Sequence, residues 1–141
     1  MTQEITKANN TAFEIPQGYI CTVDISTDEG KQDVMMALNG SDSLSKHMDE
    51  TLIVKNIVTT AGVRSLTGEA CTNVHLLLAD GTALFSQSSG VCRSVATLVA
   101  LYSKQTENGI VCDFGDGIKV KCISQELRNG NTLKTLVPVR E

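Results

Sequence analysis

The sequence predicts an all-β domain with one helix, on three observations. A block from residue 70 to residue 102 contains two short apolar runs around an Asp-Gly turn, followed by a capped helical stripe. Further short alternating runs lie on both sides of this block. The 141 residues, 41% of them hydrophobic, can bury the core of a single domain. The predicted order is therefore three strands, one helix and two strands.

The first hairpin is predicted from two-residue periodicity. Val74, Leu76 and Leu78 alternate with more polar positions within residues 70–78, as in a half-buried strand. The sequence Ala79-Asp80-Gly81 then separates this strand from a second one at residues 82–86.

The direction of Phe85 depends on the turn in this hairpin. A two-residue turn at Asp80-Gly81 would place Phe85 opposite Leu76 in the core. A three-residue turn with a left-handed Gly81 would instead pair Leu76 with Leu84 and put Phe85 beside His75 on the open face. We favour the three-residue turn, because it pairs two leucines on the buried side.

A helix follows the hairpin. Ser88 and Ser89 can accept hydrogen bonds from its first amides, and Asn108-Gly109 is a typical helix stop. Its apolar stripe recurs at spacings of four, three and four and consists of Val91, Val95, Leu98 and Tyr102.

The segment before the block is predicted as an arm and a hairpin. Residues 1–18 form a flexible N-terminal arm, which is either disordered or docks Phe13 and Ile15 onto a neighbouring subunit. Residues 19–26 alternate as a strand, and residues 31–38 form a second strand, although its apolar run also suits a helical turn.

The barrel itself is predicted to begin with a strand at residues 52–58. A loop at residues 39–50, with a short helix near residues 44–48, precedes this strand. Its apolar residues on both faces suit a strand that is covered twice. Residues 60–69 are predicted to form a long loop that closes over a ligand.

Three short strands are predicted after the helix. Those at residues 110–113 and 117–123 flank Phe114-Gly115-Asp116-Gly117, a second hairpin signal, and a turn at residues 128–131 leads into a strand at residues 132–139. The whole order is that of the OB-fold, a five-stranded Greek-key barrel that commonly holds single-stranded nucleic acid. We therefore predict one OB-fold domain at residues 19–141, extended by an N-terminal hairpin and the arm.

Composition indicates a cytoplasmic protein. No run of eighteen apolar residues occurs, and the first twenty residues are too polar for a signal peptide. The five cysteines are scattered without a Cys-x-x-Cys pair, as expected of small buried hydrophobic residues in a reducing compartment.

Charge is distributed unevenly along the chain. The net charge is −4, but residues 1–50 contain three Lys and Arg against nine Asp and Glu, whereas residues 51–141 contain nine against seven. The pattern suits a mildly basic barrel with an acidic N-terminal segment, and equally a set of charges that only solvates the surface.

No enzyme motif is present in the sequence. Gly-x-Ser-x-Gly and the phosphate-binding loop are both absent, and His47 and His75 have no nucleophile in a suitable setting. Cys71 and His75 would lie roughly 13 Å apart on one strand, too far to share an ion. We expect no catalysis, no metal and no cofactor.

Binding of single-stranded DNA has more support. Such proteins combine cations that follow the phosphates with aromatic rings on which bases stack. The candidate DNA-binding residues are Phe85 as the stacking ring, with His75, Lys55, Arg64, Lys119, Lys121 and Lys134 around it. Lys119 and Lys121 share one strand face, opposite Ile118, Val120 and Cys122. Arg93, in the first turn of the helix, indicates either an anion site or an exposed side chain.

Residues 72–102 (TNVHLLLADGTALFSQSSGVCRSVATLVALY), together with the strand at 52–58 and the closing TLKTLVPV, resemble a known family. It comprises the small single-stranded DNA-binding proteins of protein-primed phages of Gram-positive bacteria, with relatives on conjugative plasmids. The resemblance implies an OB-fold that coats displaced single strands, and Phe85 as the aromatic residue after Asp-Gly. The chain lacks the tyrosines that this family tends to have at residues 52–58, and its acidic N-terminal part departs from the family.

The sequence therefore predicts a phage or mobile-element protein that coats single-stranded DNA without sequence preference in the bacterial cytoplasm, self-associating through its arm. The alternative is a protein-binding barrel subunit of a virion or conjugation complex, which the negative net charge favours. Salt-sensitive binding of labelled oligo-dT would distinguish the two functions.

Overall fold

The computed structural model describes residues 20–107 and 109–139. The predicted arm, including Phe13 and Ile15, lies outside the described residues. The elements in chain order are helix α1 (Asp28–Gly40), strand β1 (Asp42–Ser43), a short 3-10 helix (Leu44–His47), β2 (Thr51–Val63), β3 (Ala70–Leu78), β4 (Ala83–Ser86), α2 (Ser89–Leu101), β5 (Ser103–Thr106), β6 (Gly109–Cys112), β7 (Ile118–Glu126) and β8 (Thr132–Pro138).

Six strands form one curled sheet, a half-barrel, in the order β1-β4-β3-β2-β7-β8. All neighbours are antiparallel except β1 and β4, which are parallel. In the described part of the chain, β1 and β8 are the two edges of this sheet, and β5 and β6 form a separate hairpin. The prediction of a mostly β fold is confirmed, and the half-barrel is compatible with a barrel-like fold. The prediction of one helix is wrong, because the described residues form two α-helices.

The main core lies on the inner face of the half-barrel, and α2 packs against this face. Val91 and Val95 are 0% exposed and Leu98 is 3% exposed, which confirms most of the predicted stripe. Ser88 caps the helix by accepting a hydrogen bond from the Val91 amide at 3.5 Å. These side chains pack against inward residues of four strands, including Val54, Ile57, Val74, Leu76, Val120 and Leu136.

Helix α2 also covers part of β8, at the edge of the sheet. The Leu136 amide of this edge strand donates to Ser94 Oγ at 3.1 Å, and Ser94 Oγ donates to the Gly90 carbonyl at 2.8 Å. A Cβ on Gly90 would overlap the Lys134 carbonyl oxygen and lie 2.6 Å from Leu133 Cγ. The absence of a side chain at Gly90 therefore allows the helix to approach the β8 backbone closely.

Helix α1 replaces the second predicted N-terminal strand. Thr27, read as a turn residue, is its N-cap, since Thr27 Oγ1 accepts from the Gly30 amide at 2.9 Å. Asp28 and Glu29 in the first turn suit the helix dipole. Val34 and Ala37 then lie at helical spacing and are buried on the outer face of the sheet.

A second core lies between α1 and the outer face of the sheet. It consists of the buried residues Val23, Ile25, Val34, Ala37, Val58 and Leu77. Within residues 20–26, the strand predicted at 19–26 is reduced to an isolated bridge between Cys21 and Val58. The N-terminal segment is thus a helical cover on the sheet, and the predicted N-terminal hairpin is wrong.

Two loop predictions are also wrong. Residues 60–63 continue β2, which pairs with β3 as far as Val63 opposite Ala70, so no long loop precedes β3. Strand β6 pairs with β5, whereas β7 pairs with β2 and β8, so Phe114–Gly117 does not join a hairpin.

Helix α2 ends at Leu101, well before the predicted stop, and Gly109 instead begins β6 with a φ of 115°.

Other local predictions are confirmed. The short helix predicted near residues 44–48 is the 3-10 helix. Residues 128–131 make the predicted turn between β7 and β8, with a hydrogen bond of 2.7 Å from the Leu127 amide to the Asn131 carbonyl. Neither helix of the described residues is long and apolar enough to cross a membrane.

Candidate nucleic-acid surface

Three of the predicted lysines lie on the outer face of the sheet, outside the area that α1 covers. In the β2–β7 pairing, Thr51 faces Lys121 and Ile53 faces Lys119. Their neighbours Ile118, Val120 and Cys122 are buried on the inner face, which confirms the predicted alternation.

Lys55 joins this group through a β-bulge. The β2–β3 register shifts between Val54 and Asn56, which leaves Lys55 as the extra, exposed residue. A Cβ on Gly117 would meet both Ile53 Cγ2 and Lys55 Cγ, so these two side chains leave the sheet on the same side.

We call this surface the lysine face. It consists of the outward residues of three adjacent strands: Thr51, Ile53, Lys55, Lys119, Lys121, Ile123, Thr135 and Val137. Ile53 is 41% exposed. Three of these eight residues are lysines, in a chain of net charge −4.

Phe85 and His75 lie elsewhere on the outer face. The Leu78 amide donates to the Thr82 carbonyl at 2.8 Å and Gly81 has a φ of 91°, which confirms the three-residue turn. Phe85 therefore faces His75, and their ring centroids are 5.2 Å apart at 45°.

The expectation that this pair lies on an open face is wrong for His75, because α1 and the segment after it cover the ring. His75 is 5% exposed, and its Nδ1 lies 3.0 Å from Ser41 Oγ. Burial lowers the pKa of His75. Phe85 is half-buried and has β1 alongside, through the pairing of Ser43 with Phe85.

Arg64 follows the end of β2 and is separate from the lysine face. Its Nη2 donates to the Gln87 carbonyl at 3.2 Å, which connects the β2–β3 hairpin to the segment before α2. Gln87 Nε2 also donates to Asn73 Oδ1 at 2.9 Å. Arg64 therefore already has a structural hydrogen bond, and no sequence pattern predicted the side-chain amides of Gln87 and Asn73 near it.

Lys134 lies on the opposite side of the sheet from the lysine face. It pairs with Ser124, two residues from the inward pair Cys122 and Leu136, so its side chain leaves on the inner side. Burial raises the pKa of the Cys122 thiol, and the nearby Lys134 ammonium opposes this rise. The seven predicted residues thus include one group of three lysines, one ring pair and two separate cations.

A groove of about 760 Å³ borders the lysine face at Lys55. Its other walls are α1 and the β3–β4 turn, with Gln32, Asp33, Met36, Asp42 and Thr82 among the lining residues. The sequence did not predict this groove, because α1 was read as a strand.

Another cluster of titratable groups among the described residues is centred on His47. His47 lies between Asp42 Oδ2 at 3.2 Å and Glu50 Oε1 at 3.1 Å, and these carboxylates raise its pKa. The cluster is exposed to solvent. No group of three His, Cys, Asp or Glu among the described residues is arranged to hold a metal ion. Arg93 is exposed on α2.

No family model, no curated protein and no solved structure matches this chain. The resemblance to phage and plasmid single-stranded DNA-binding proteins therefore stays a prediction from the sequence. Among the described surfaces of the chain, the lysine face has the clearest binding chemistry.

Proposed function

We propose that this protein binds single-stranded DNA without sequence preference, through phosphates held on the lysine face. The observation that carries the proposal is the grouping of Lys55, Lys119 and Lys121 on one outward surface of the sheet. Ammonium groups are suitable partners for a flexible chain of phosphates, because each is a compact charge on a flexible stem.

The binding mode is mainly electrostatic. Apart from the lysines, the lysine face offers Ile53, Ile123 and Val137 for contact with bases, but no aromatic ring. Stacking on a ring adds about 1–3 kcal/mol per base, so its absence favours weak binding that depends strongly on salt. Phe85 takes part only if the bound DNA strand extends past α1 to the β4 side of the sheet.

The strand order supports an OB-fold. In that fold the first strand pairs with the second and the fourth, and the helix follows the third. Here β2 pairs with β3 and β7, and α2 follows β4. We propose an OB-fold whose closing contact is made by α2 rather than by pairing of β4 with β8. On the family resemblance, the protein would coat displaced strands of a phage or mobile element during replication or transfer.

The test is a titration of fluorescein-labelled oligo-dT, followed by anisotropy over a range of salt concentrations. Three phosphate contacts on a single strand predict a slope of log K against log salt of about −2. Affinity should therefore fall about twentyfold between roughly 50 mM and 200 mM salt.

A charge-reversal pair makes the test specific to the lysine face. Lys119→Glu with Lys121→Glu should abolish binding, whereas the control Lys104→Glu, an exposed lysine on β5, should leave it unchanged. Equal losses in both variants would show that net charge, and not this surface, determines binding. No binding by the wild type at low salt would exclude the proposal.

The second candidate is a protein-binding barrel, and one observation favours it. Helix α1 exposes Met35, Met36 and Leu38, which are 62%, 68% and 40% exposed. Neighbouring exposed apolar side chains on one helix are typical of a surface that contacts protein. Absence of oligonucleotide binding would favour this function.

A further inference from the structure

Strand β2 has a stretch of backbone that is paired on only one side. It pairs with β3 over residues 54–63, but with β7 only over residues 51–54. Beyond β7, residues 20–22 cover the same side of β2 through an isolated bridge at Val58. Within the described part of the chain, no strand pairs with this side of β2 at residues 60–63.

Residues 20–22 run antiparallel to β2. The Thr59 amide donates to the Ile20 carbonyl at 2.8 Å, and the Thr22 amide donates to the Ile57 carbonyl at 3.0 Å. These two hydrogen bonds flank the bridge, as in a short antiparallel ladder. Ile20, the first described residue of the chain, is therefore already paired with β2.

The same ladder identifies the backbone groups of β2 that come next on this side. Successive residues of an antiparallel strand direct their amides and carbonyls to opposite sides, so the amides of Ala61 and Val63 point to the same side as the Thr59 amide. Both residues are exposed. Their carbonyls have long side-chain contacts, of 3.5 Å from Asn73 Nδ2 and 3.4 Å from Gln87 Nε2. A strand edge of this kind can accept an added strand.

The sequence just before Ile20 suits this edge. In the register of the existing ladder, Gly18 falls opposite Ala61 and Pro16 falls opposite Val63. Each of the two exposed amides then has a carbonyl beside it. Proline has no amide to continue the ladder and is found at the first residue of a strand, so the added strand would begin at Pro16. Its ring would cover the Val63 side chain, which is 61% exposed.

We propose that residues 16–19 of the same chain extend the ladder as a short strand on this side of β2. The occupant is the chain's own segment, because it is covalently continuous with residues 20–22, which are already in register, so no loop has to be closed. The added strand protects a stretch of edge that a strand of another chain would otherwise be able to join.

Amide hydrogen exchange of the full chain, followed by NMR, tests the added strand. The amides of Ala61 and Val63 should exchange at least about tenfold more slowly in the wild type than in Gly18→Pro. This substitution removes a donor that faces β2 and places a ring there. Gln17→Pro is the matched control, because the Gln17 amide would point away from β2, where an edge strand tolerates proline.

Three results of this experiment would overturn the proposal. The first is fast exchange of both amides in the wild type, and the second is an equal rate in the wild type and Gly18→Pro. The third is an equal loss of protection in both proline variants, because the added strand would then not be in the register of the existing ladder.

A nuclear Overhauser contact distinguishes the chain's own segment from that of a second copy. In the proposed register, Gln17 and Gly62 form a non-hydrogen-bonded pair, whose Cα atoms lie about 4.5 Å apart. Uniformly labelled protein should show the Hα–Hα contact of this pair. In a mixture of labelled and unlabelled protein, isotope filtering should show no such contact between chains.

A contact found only between chains would assign the strand to a second copy and overturn the proposal, as would the absence of the contact from both samples. Neither measurement involves DNA, so the outcome is independent of the proposed function.

Discussion

Replacement of Gly90 by alanine tests the contact between α2 and β8. On an exposed helix position this change stabilises a helix by about 1 kcal/mol, because glycine is a poor helix former. Gly90 is instead fully buried against β8, and a Cβ there would overlap the Lys134 carbonyl oxygen. We therefore expect Gly90→Ala to destabilise the protein.

The magnitude follows from the size of the overlap. The new Cβ would lie 2.6 Å from Leu133 Cγ, against the roughly 3.5–4.0 Å of a favourable carbon contact, and closer still to the Lys134 carbonyl oxygen, so α2 or β8 must shift by at least about 1 Å. Such a shift also lengthens the 3.1 Å hydrogen bond from the Leu136 amide to Ser94 Oγ, worth about 1 kcal/mol. Overpacking costs about 1–3 kcal/mol, so the net loss, after the gain in helix propensity, should be about 1–3 kcal/mol.

Urea denaturation followed by circular dichroism measures this loss as a lower midpoint at an unchanged slope. Gly40→Ala is the matched control, because Gly40 is also helical and a Cβ there would meet nothing within 4 Å. The control should be neutral or slightly stabilising. A Gly90→Ala protein as stable as the wild type would refute the close approach of α2 to β8.

Two further predictions concern α1 and the residues that it covers. Burial keeps the folded pKa of His75 below the unfolded value of about 6.5, so stability should be full above that pH and fall on acidification, by at most about 1.4 kcal/mol per pH unit. In urea titrations between about pH 7.5 and pH 5, His75→Gln should lose less stability than the wild type, and parallel curves would contradict the assignment. Thr27→Ala removes the N-cap bond to the Gly30 amide and should cost about 1 kcal/mol in the same assay. Thr27→Ser should retain most of that stability, and an equal loss in both variants would mean that the hydroxyl is not the cap.

Local periodicity correctly predicted a strand, a hairpin register and the residues that share one strand face. Alternation predicted the full extent of β3, and the three-residue turn Ala79-Asp80-Gly81 predicted the register of Leu76 with Leu84. Alternation also assigned Lys119 and Lys121 to one face. These features depend only on neighbours along the chain, so one sequence is enough to predict them.

The errors lie where tertiary contacts decide the structure. Residues 34–38 (VMMAL) have apolar side chains on every side of α1, because Met35 and Met36 stay exposed, so no helical stripe marks the buried side. Once α1 was read as a strand, nothing indicated that it covers His75. The grouping of Lys55 with the other two lysines depends on a β-bulge, which shifts register without a clear sequence signal.

The hydrogen bond from Leu136 to Ser94 also limits how copies of this protein can join. Backbone N–H groups without an acceptor on an edge strand can pair with a strand of another chain, which is a common route to uncontrolled aggregation. On β8, the Leu136 amide already donates to the Ser94 hydroxyl of α2. At the other edge of the sheet, β1 has only two residues. Contacts between copies at these two edges of the six-stranded sheet are therefore expected to use side chains, which salt and single substitutions can reverse.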